Sequence, residues 1–300
     1  MENTIVMSHV SKFYGKKQAL CDINLTIHQG MFGLLGRNGA GKTTLMKTLA
    51  TLHEKKDGTI TVCGIPIESA GRVREITGYL PQDFSMYPNM SVYECLDYLG
   101  ALSGMNGETR KQQIDRLLKK VNLSEQRKKK VKALSGGMKR RLGIAQALLH
   151  NPKVLIVDEP TAGLDPEERI RFRNLLCEVA EERIVILSTH IVGDIEATCE
   201  DIAILNEGKI LFRGTVSELI CDAQGKVYSV TVEKKELPQI KKNHIVTGML
   251  SQGSQMRLRI ISENAPEIQG TVLEEPNCED AYMYCLWKNG CDVESVAGGE

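Results

Sequence analysis

Three hundred residues carry 38 Lys and Arg against 38 Asp and Glu, a formal net charge of zero, with 25% charged and 42% apolar side chains. Those proportions are ordinary for a globular protein, and they exclude a disordered chain, a basic nucleic-acid coat and an acidic tail protein. No apolar run approaches the roughly 20 residues that cross a bilayer, and Met1-Glu2-Asn3-Thr4 carries no secretory signal pattern. A cytosolic chain is expected. The nine cysteines, at 21, 63, 95, 177, 199, 221, 278, 285 and 291, form no CxxC pair, so reduced and mostly buried thiols are expected.

Up to about Gly214, short β-branched runs alternate with longer amphipathic stretches, which predicts an α/β architecture built on a parallel sheet. The first predicted strand, Met31 to Leu35, runs into Gly36-Arg37-Asn38-Gly39-Ala40-Gly41-Lys42-Thr43, with a helical stretch from Thr43 to Leu52. This is GxxxxGK followed by Thr, placed between strand and helix as the phosphate loop requires. Glycines let backbone N–H groups converge on an anion, and the helix adds its positive N-terminal end. Lys42 is expected to bridge the β- and γ-phosphates of ATP, and the Thr43 hydroxyl to ligate Mg²⁺.

Residues 91 to 150 are helix-rich, with Val92 to Leu102 and Arg110 to Val121 as predicted helices; an inserted helical subdomain is expected over about 85–150. The basic run Arg127 to Lys132 is expected to be a solvated turn, not a nucleic-acid patch. Leu134-Ser135-Gly136-Gly137-Met138 then precedes a helix from Lys139 to Leu149. Ser135 suits an N-cap, and the glycines bare the first-turn amides, making a second anion-binding helix terminus. One phosphate loop does not need two, so this one is expected to serve the nucleotide of a partner chain.

The continuous apolar run Val154 to Val157 reads as a buried parallel strand and ends in Asp158-Glu159-Pro160. Asp158 is placed to hold Mg²⁺ and Glu159 to orient and deprotonate an attacking water. Further strands are predicted at Ile184 to Ser188 and Asp201 to Leu205. Beyond about Cys221 the composition shifts. Val227 to Val232, Ile245 to Leu250 and Met256 to Ile261 alternate like strands, the last two joined by Ser251-Gln252-Gly253-Ser254. Residues 1–220 are therefore expected to form a nucleotide-binding domain and 221–300 a small α+β appendage, with Val296 to Glu300 uninterpreted.

Phosphate loop, acidic strand end and Leu-Ser-Gly-Gly segment together make residues 4 to 214 resemble the ATP-binding cassette (ABC) proteins. The resemblance implies roles for further residues in order. Tyr14 matches the aromatic that stacks on adenine. Gln82, in Tyr79-Leu80-Pro81-Gln82-Asp83, matches the glutamine loop that senses Mg²⁺ and couples to a membrane partner. Asp165, in Gly163-Leu164-Asp165, matches the loop crossing a dimer interface, and His190 matches the switch histidine on the γ-phosphate.

The resemblance also implies a head-to-tail dimer, with itself or a related ABC subunit. Each of two ATP molecules is held by Gly36 to Thr44 of one subunit and Ser135 to Gly137 of the other. A separate integral-membrane permease is expected to dock over residues 83 to 102, placing the chain at the cytoplasmic face of the cell membrane, with no nucleic-acid partner. Met138 and the following Lys139-Arg140-Arg141 stand where many import cassettes carry glutamines. This form, and the closing segment Glu275-Pro276-Asn277-Cys278-Glu279-Asp280-Ala281-Tyr282-Met283-Tyr284, is similar to subunits that drive multidrug, antibiotic and sodium export. An ATPase powering export of a small molecule, drug, peptide or ion is expected; an import ATPase and a soluble cassette acting on ribosomes or DNA are the alternatives.

Overall fold

A computed structural model describes residues 3–293; Val296 to Glu300 and the first two residues lie outside them. Contacts divide the chain into two units: one runs to Glu200 and includes Ile204–Ile210, and the other comprises Asp201–Ala203 and the chain from Leu211.

The first unit begins with β1 (Ile5–Tyr14), β2 (Lys17–Ile27), β3 (Gly30–Leu35) and α1 (Lys42–Leu49). Then come β4 (Asp57–Val62), β5 (Ile65–Pro66), α2 (Ala70–Glu75), β6 (Thr77–Leu80), α3 (Val92–Leu102), α4 (Gly107–Lys120) and α5 (Gly136–Ala147). β7 (Val154–Asp158), α6 (Pro166–Ala180), β8 (Ile184–Thr189) and α7 (Val192–Glu196) follow in this unit, and β9 (Asp201–Asn206) and β10 (Lys209–Thr215) each carry residues of both units. The parallel pairs β3–β8, β8–β7 and β7–β6 form the middle of a sheet of order β10-β9-β3-β8-β7-β6. Every residue of β7 and β8 is buried. Their near-continuous apolar runs reflect cover on both faces, as expected.

A second, antiparallel sheet of order β2-β1-β4-β5 was not expected from the sequence. The β1–β2 register shifts between Met7 and Val10 and again before Phe13, and His9 and Asp22 adopt left-handed backbone. Such bulges break the period-two alternation that betrays a half-buried strand.

The helical part, α3 to α5, is specified locally. Ser91 and Glu94 form a reciprocal capping box on α3, and Asn106 caps α4, whose Ile114, Leu117 and Leu118 bury one stripe. The basic run at 127–132 departs from a plain solvated turn. The Arg127 guanidinium stacks 4.1 Å from the Tyr93 ring centre and pairs with Asp115, and the backbone of Lys129 receives the Val92 N–H. Its lysine side chains do face solvent.

The second unit holds α8 (Val216–Asp222), β11 (Val227–Glu233), α9 (Leu237–Asn243), β12 (Ile245–Gln252), β13 (Gln255–Ile261), β14 (Val272–Leu273) and α10 (Cys278–Lys288). Its sheet order is β12-β13-β11-β14, over a core of Val230, Val232, Ile240, Val246, Leu258 and Ile260. The β12–β13 connection is tighter than the expected four residues. Gln252 pairs with Gln255, leaving Gly253 and Ser254 as a two-residue turn with Gly253 at φ +64°.

Candidate active site

The loop from Gly36 to Gly41 leaves β3 and enters α1. At Gly36 a Cβ would stand 2.3 Å from the Leu205 carbonyl oxygen, so the loop's first residue must be glycine. Gly41, at φ +110°, caps α1 with backbone alone. No side chain caps this helix and no acid occupies its first turn. By contrast α3, α4, α5, α6, α8 and α10 all carry side-chain caps. The first-turn N–H groups of α1 are thus left for an external acceptor, and an anion is the partner their partial charge favours.

A cavity of about 860 Å³ opens over this terminus. Tyr14, Arg37, Asn38, Gly39, Gly41, Lys42, Thr43, Thr44, Gln82 and Glu159 line it. Tyr14 is 45% exposed at its rim, with the His53 ring nearly perpendicular at 5.8 Å and Lys12 Nζ over its own ring at 5.4 Å. Lys42 Nζ donates to the Gly36 and Arg37 carbonyls at 2.6 and 3.2 Å and lies 3.0 Å from Glu159 Oε1. The other Glu159 oxygen is 2.7 Å from His190 Nδ1. Glu159 itself sits at φ +48°, a conformation that costs a non-glycine residue about 1–3 kcal/mol. The backbone turns out of its strand there, in step with two buried contacts made by its carboxylate.

Asp158, the last residue of β7, is fully buried, and neither of its oxygens makes a hydrogen bond of ordinary geometry. Burial pushes its carboxyl above the usual carboxylate range, while the nearby Ser188 and Thr43 hydroxyls and Lys42 pull it back. An acidic group kept in that state is short of a cation. Among the described residues no three His, Cys, Asp or Glu side chains cluster as a metal cage. One carboxylate near a hydroxyl (Asp158, Thr43), with Gln82 on the cavity wall, fits Mg²⁺, which is held by few protein groups together with substrate phosphates.

Ser135, Gly136, Gly137 and Asp165 do not line this cavity. Ser135 caps α5 by accepting the Met138 N–H at 3.2 Å, and Asp165 caps α6 by accepting the Glu168 N–H at 2.9 Å. These two termini are packed together: a Cβ on Gly137 would stand 2.5 Å from a Glu168 oxygen, and buried Arg141 pairs with Glu168 at 3.4 Å. The starts of α5 and α6 thus have acceptors from their own side chains, whereas that of α1 has none.

The ABC transporter family profile matches residues 20–162. The multidrug ABC transporter ATP-binding protein YbhF of Escherichia coli, described as probable in that role, is 36% identical over 257 residues, covering 84% of this chain and 44% of its own. The linearmycin resistance ATP-binding protein LnrL of Bacillus subtilis is 30% identical over 305 residues, covering 92% and 96%. This chain belongs to the ABC transporter ATP-binding proteins. A solved dimeric bacterial ABC transporter cassette is 25% identical, with a TM-score of 0.64, over 70% of this chain and 98% of that one. The chain spans less than half the length of the Escherichia coli relative.

Membership accounts for an α/β fold with both parallel and antiparallel strands. Sequence reasoning left out part of the cassette's cavity. Lys17, Gln18 and Ala19 line it from the start of β2, and Glu207 and Gly208 from the β9–β10 turn. Gly208 donates its N–H to the Ala40 carbonyl and accepts that of Cys21, buttressing the phosphate loop. The Asn206-Glu207-Gly208 turn was readable, but nothing local tied it to a loop far upstream. Among the described residues no helix of this ABC protein is long and apolar enough to cross a membrane.

Proposed function

We propose that this chain binds and hydrolyses ATP to power export of a small molecule, drug, peptide or ion through a separate membrane permease. The observation that carries the reading is the convergence of Lys42, Glu159 and His190 beside an uncapped helix terminus, with Asp158 buried beneath. Residues 1–220 would carry this work, at the cytoplasmic face of the membrane.

Tyr14 would stack on the adenine, and Gly36 to Thr44 would surround the phosphates with N–H groups and the Lys42 charge. Thr43, Asp158 and Gln82 would hold Mg²⁺, which when bound supplies positive charge against the phosphate oxygens. Glu159, whose carboxylate is fixed by Lys42 and His190, would take the proton of the attacking water. His190, 42% exposed at its side chain, would meet the γ-phosphate as it enters. Ser135 to Gly137 and Asp165 would act across the dimer on the partner's nucleotide, so that two ATP molecules close the interface and hydrolysis releases it. Residues 83 to 102 would form the groove that receives a permease helix, a reading supported by the cavity of about 250 Å³ beside Phe84, Ser85, Met86 and Pro88.

The export direction is supported by Met138 with Lys139-Arg140-Arg141, and by relatives described as multidrug and linearmycin-resistance proteins. The test is reconstitution with a candidate membrane permease. ATP-dependent accumulation of a labelled drug inside inverted vesicles is expected; accumulation only in right-side-out vesicles, or with an added solute-binding protein, would show import.

A further inference from the structure

Arg140 lies on α5 five residues beyond the cap at Ser135 and is not among the residues that line the cavity. Its Nη1 donates to the Gln82 carbonyl at 2.6 Å and to the Pro81 carbonyl at 3.3 Å. Burial pulls the guanidinium's pKa down, and Asp83, the next residue of the same loop, opposes that pull. One half-buried cation therefore holds the main-chain oxygens of Pro81 and Gln82, with the Asp83 charge near enough to favour it. A guanidinium suits this, because its planar fork holds neighbouring acceptors at fixed angles.

A second contact on the same helix face supports the first. Gly143 is three residues on, so it lies beside Arg140. A Cβ there would stand 2.6 Å from Leu80 and 3.0 Å from Phe84, which flank the loop on both sides. The helix approaches the segment so closely there that a side chain at 143 would push on Leu80 and Phe84.

We propose that Arg140 is a positioning residue that locks the glutamine loop of one ATP site to the helix capping the partner's ATP, and so makes the two sites of the dimer cooperative. This rests on the dimeric reading above. Gln82 lines this chain's own cavity, whereas Ser135 to Gly137 at the start of α5 do not. A nucleotide engaged at the start of α5 then biases where Gln82 sits, through two hydrogen bonds and one packed glycine. Coupling of this kind acts on both sites alike, since linkage is reciprocal.

The experiment compares wild type, Arg140→Gln and Arg140→Lys in steady-state ATP hydrolysis over a range of ATP concentrations, with ATP binding to the protein measured alongside. Wild type is expected to show a Hill coefficient above 1. Arg140→Gln is expected to bring it to about 1 and to lower kcat by about tenfold, with ATP binding within about twofold of wild type. Arg140→Lys, which keeps the charge and one donor, is expected to restore part of both. Wild-type kcat and Hill coefficient in Arg140→Gln overturn the proposal, as does a wild type without cooperativity. If Arg140→Gln fails to fold, Gly143→Ala, which pushes on the same loop, must lower the Hill coefficient in its place. Absence of ATP hydrolysis in wild type would instead strike the functional reading itself.

Discussion

Lys42 Nζ lies 3.0 Å from Glu159 Oε1, and both side chains are only 5% exposed. Two groups to which the proposed mechanism gives different tasks toward ATP are here each other's partner. The lysine is further held by the Gly36 and Arg37 carbonyls, so its charge is stationed on the wall of the cavity over α1. Lys42→Ala is expected to weaken ATP binding by about tenfold to a hundredfold, the size of one or two charged hydrogen bonds at about 1.5–3 kcal/mol each. A titration with a fluorescent ATP analogue checks this, and unchanged affinity would remove Lys42 from the phosphate site.

Glu159→Gln keeps the shape of the side chain and one acceptor for Lys42 but cannot take a proton. Hydrolysis is expected to fall by at least about a hundredfold, the usual share of a general base. Binding of ATP is expected to persist, with an ATP-loaded dimer accumulating on size exclusion. Hydrolysis near the wild-type rate would sink the assignment.

Asp158 sets stability against function. Its carboxyl, raised by burial, favours the protonated form in the fold. That contribution is complete below the ordinary carboxylate value and is lost as pH rises through the raised one, so at neutral pH the ionised group destabilises the nucleotide-free protein. Asp158→Asn is expected to raise its unfolding midpoint, by a free energy of about 1 kcal/mol or more, while abolishing Mg²⁺-dependent hydrolysis. Thermal unfolding without nucleotide and an ATPase assay read the two arms; a variant both less stable and active would contradict the Mg²⁺ role.

His150 gives a different pH signature. Its ring lies 3.2 Å from the Thr77 carbonyl, and burial lowers its pKa below the ordinary 6.5. The unfolded chain then binds the proton more readily than the fold. Stability is therefore full above about pH 6.5 and lost as pH falls through the depressed value. His150→Gln is expected to flatten the denaturation midpoint between pH 7 and about 5.5, and an equally steep decline in that variant would locate the sensitivity elsewhere.

Much of the site was legible because it is local. Gly36 to Thr43 combines a strand end, a turn and a helix start, and its geometry follows from the residues themselves. Asp158 and Glu159 were readable for the same reason, at the end of an apolar run. The Glu159–His190 contact and the clasp of Arg140 on Gln82 were not, since each joins residues far apart in sequence. The antiparallel sheet was missed because bulges at His9 and Asp22 disrupt the alternation of β1 and β2. Asp165, by contrast, has a sufficient local explanation as the cap of α6, so its sequence position alone could not separate a capping role from an interfacial one.

The closing segment at 275–284 has a structural reason of its own. Asn277 caps α10, and Asp280 completes the capping box by accepting the Asn277 N–H at 3.1 Å. Asp280 is 1% exposed and also receives Arg259 at 2.6 Å and the Thr247 hydroxyl at 2.5 Å. One carboxylate thus ties a helix start to two strands of the sheet in the second unit. Removing it leaves the Thr247 hydroxyl and the Asn277 N–H without their acceptor, about 1–3 kcal/mol for a buried polar group left unsatisfied, while Arg259, 28% exposed, keeps Glu274 at 3.6 Å. Asp280→Ala is therefore expected to loosen the second unit and to open it to limited proteolysis between β11 and α10. Asp280→Asn keeps the cap oxygen while losing the charge, and is expected to fall between the two. Equal protease resistance in all three proteins would mean that the cluster contributes little to holding the unit together.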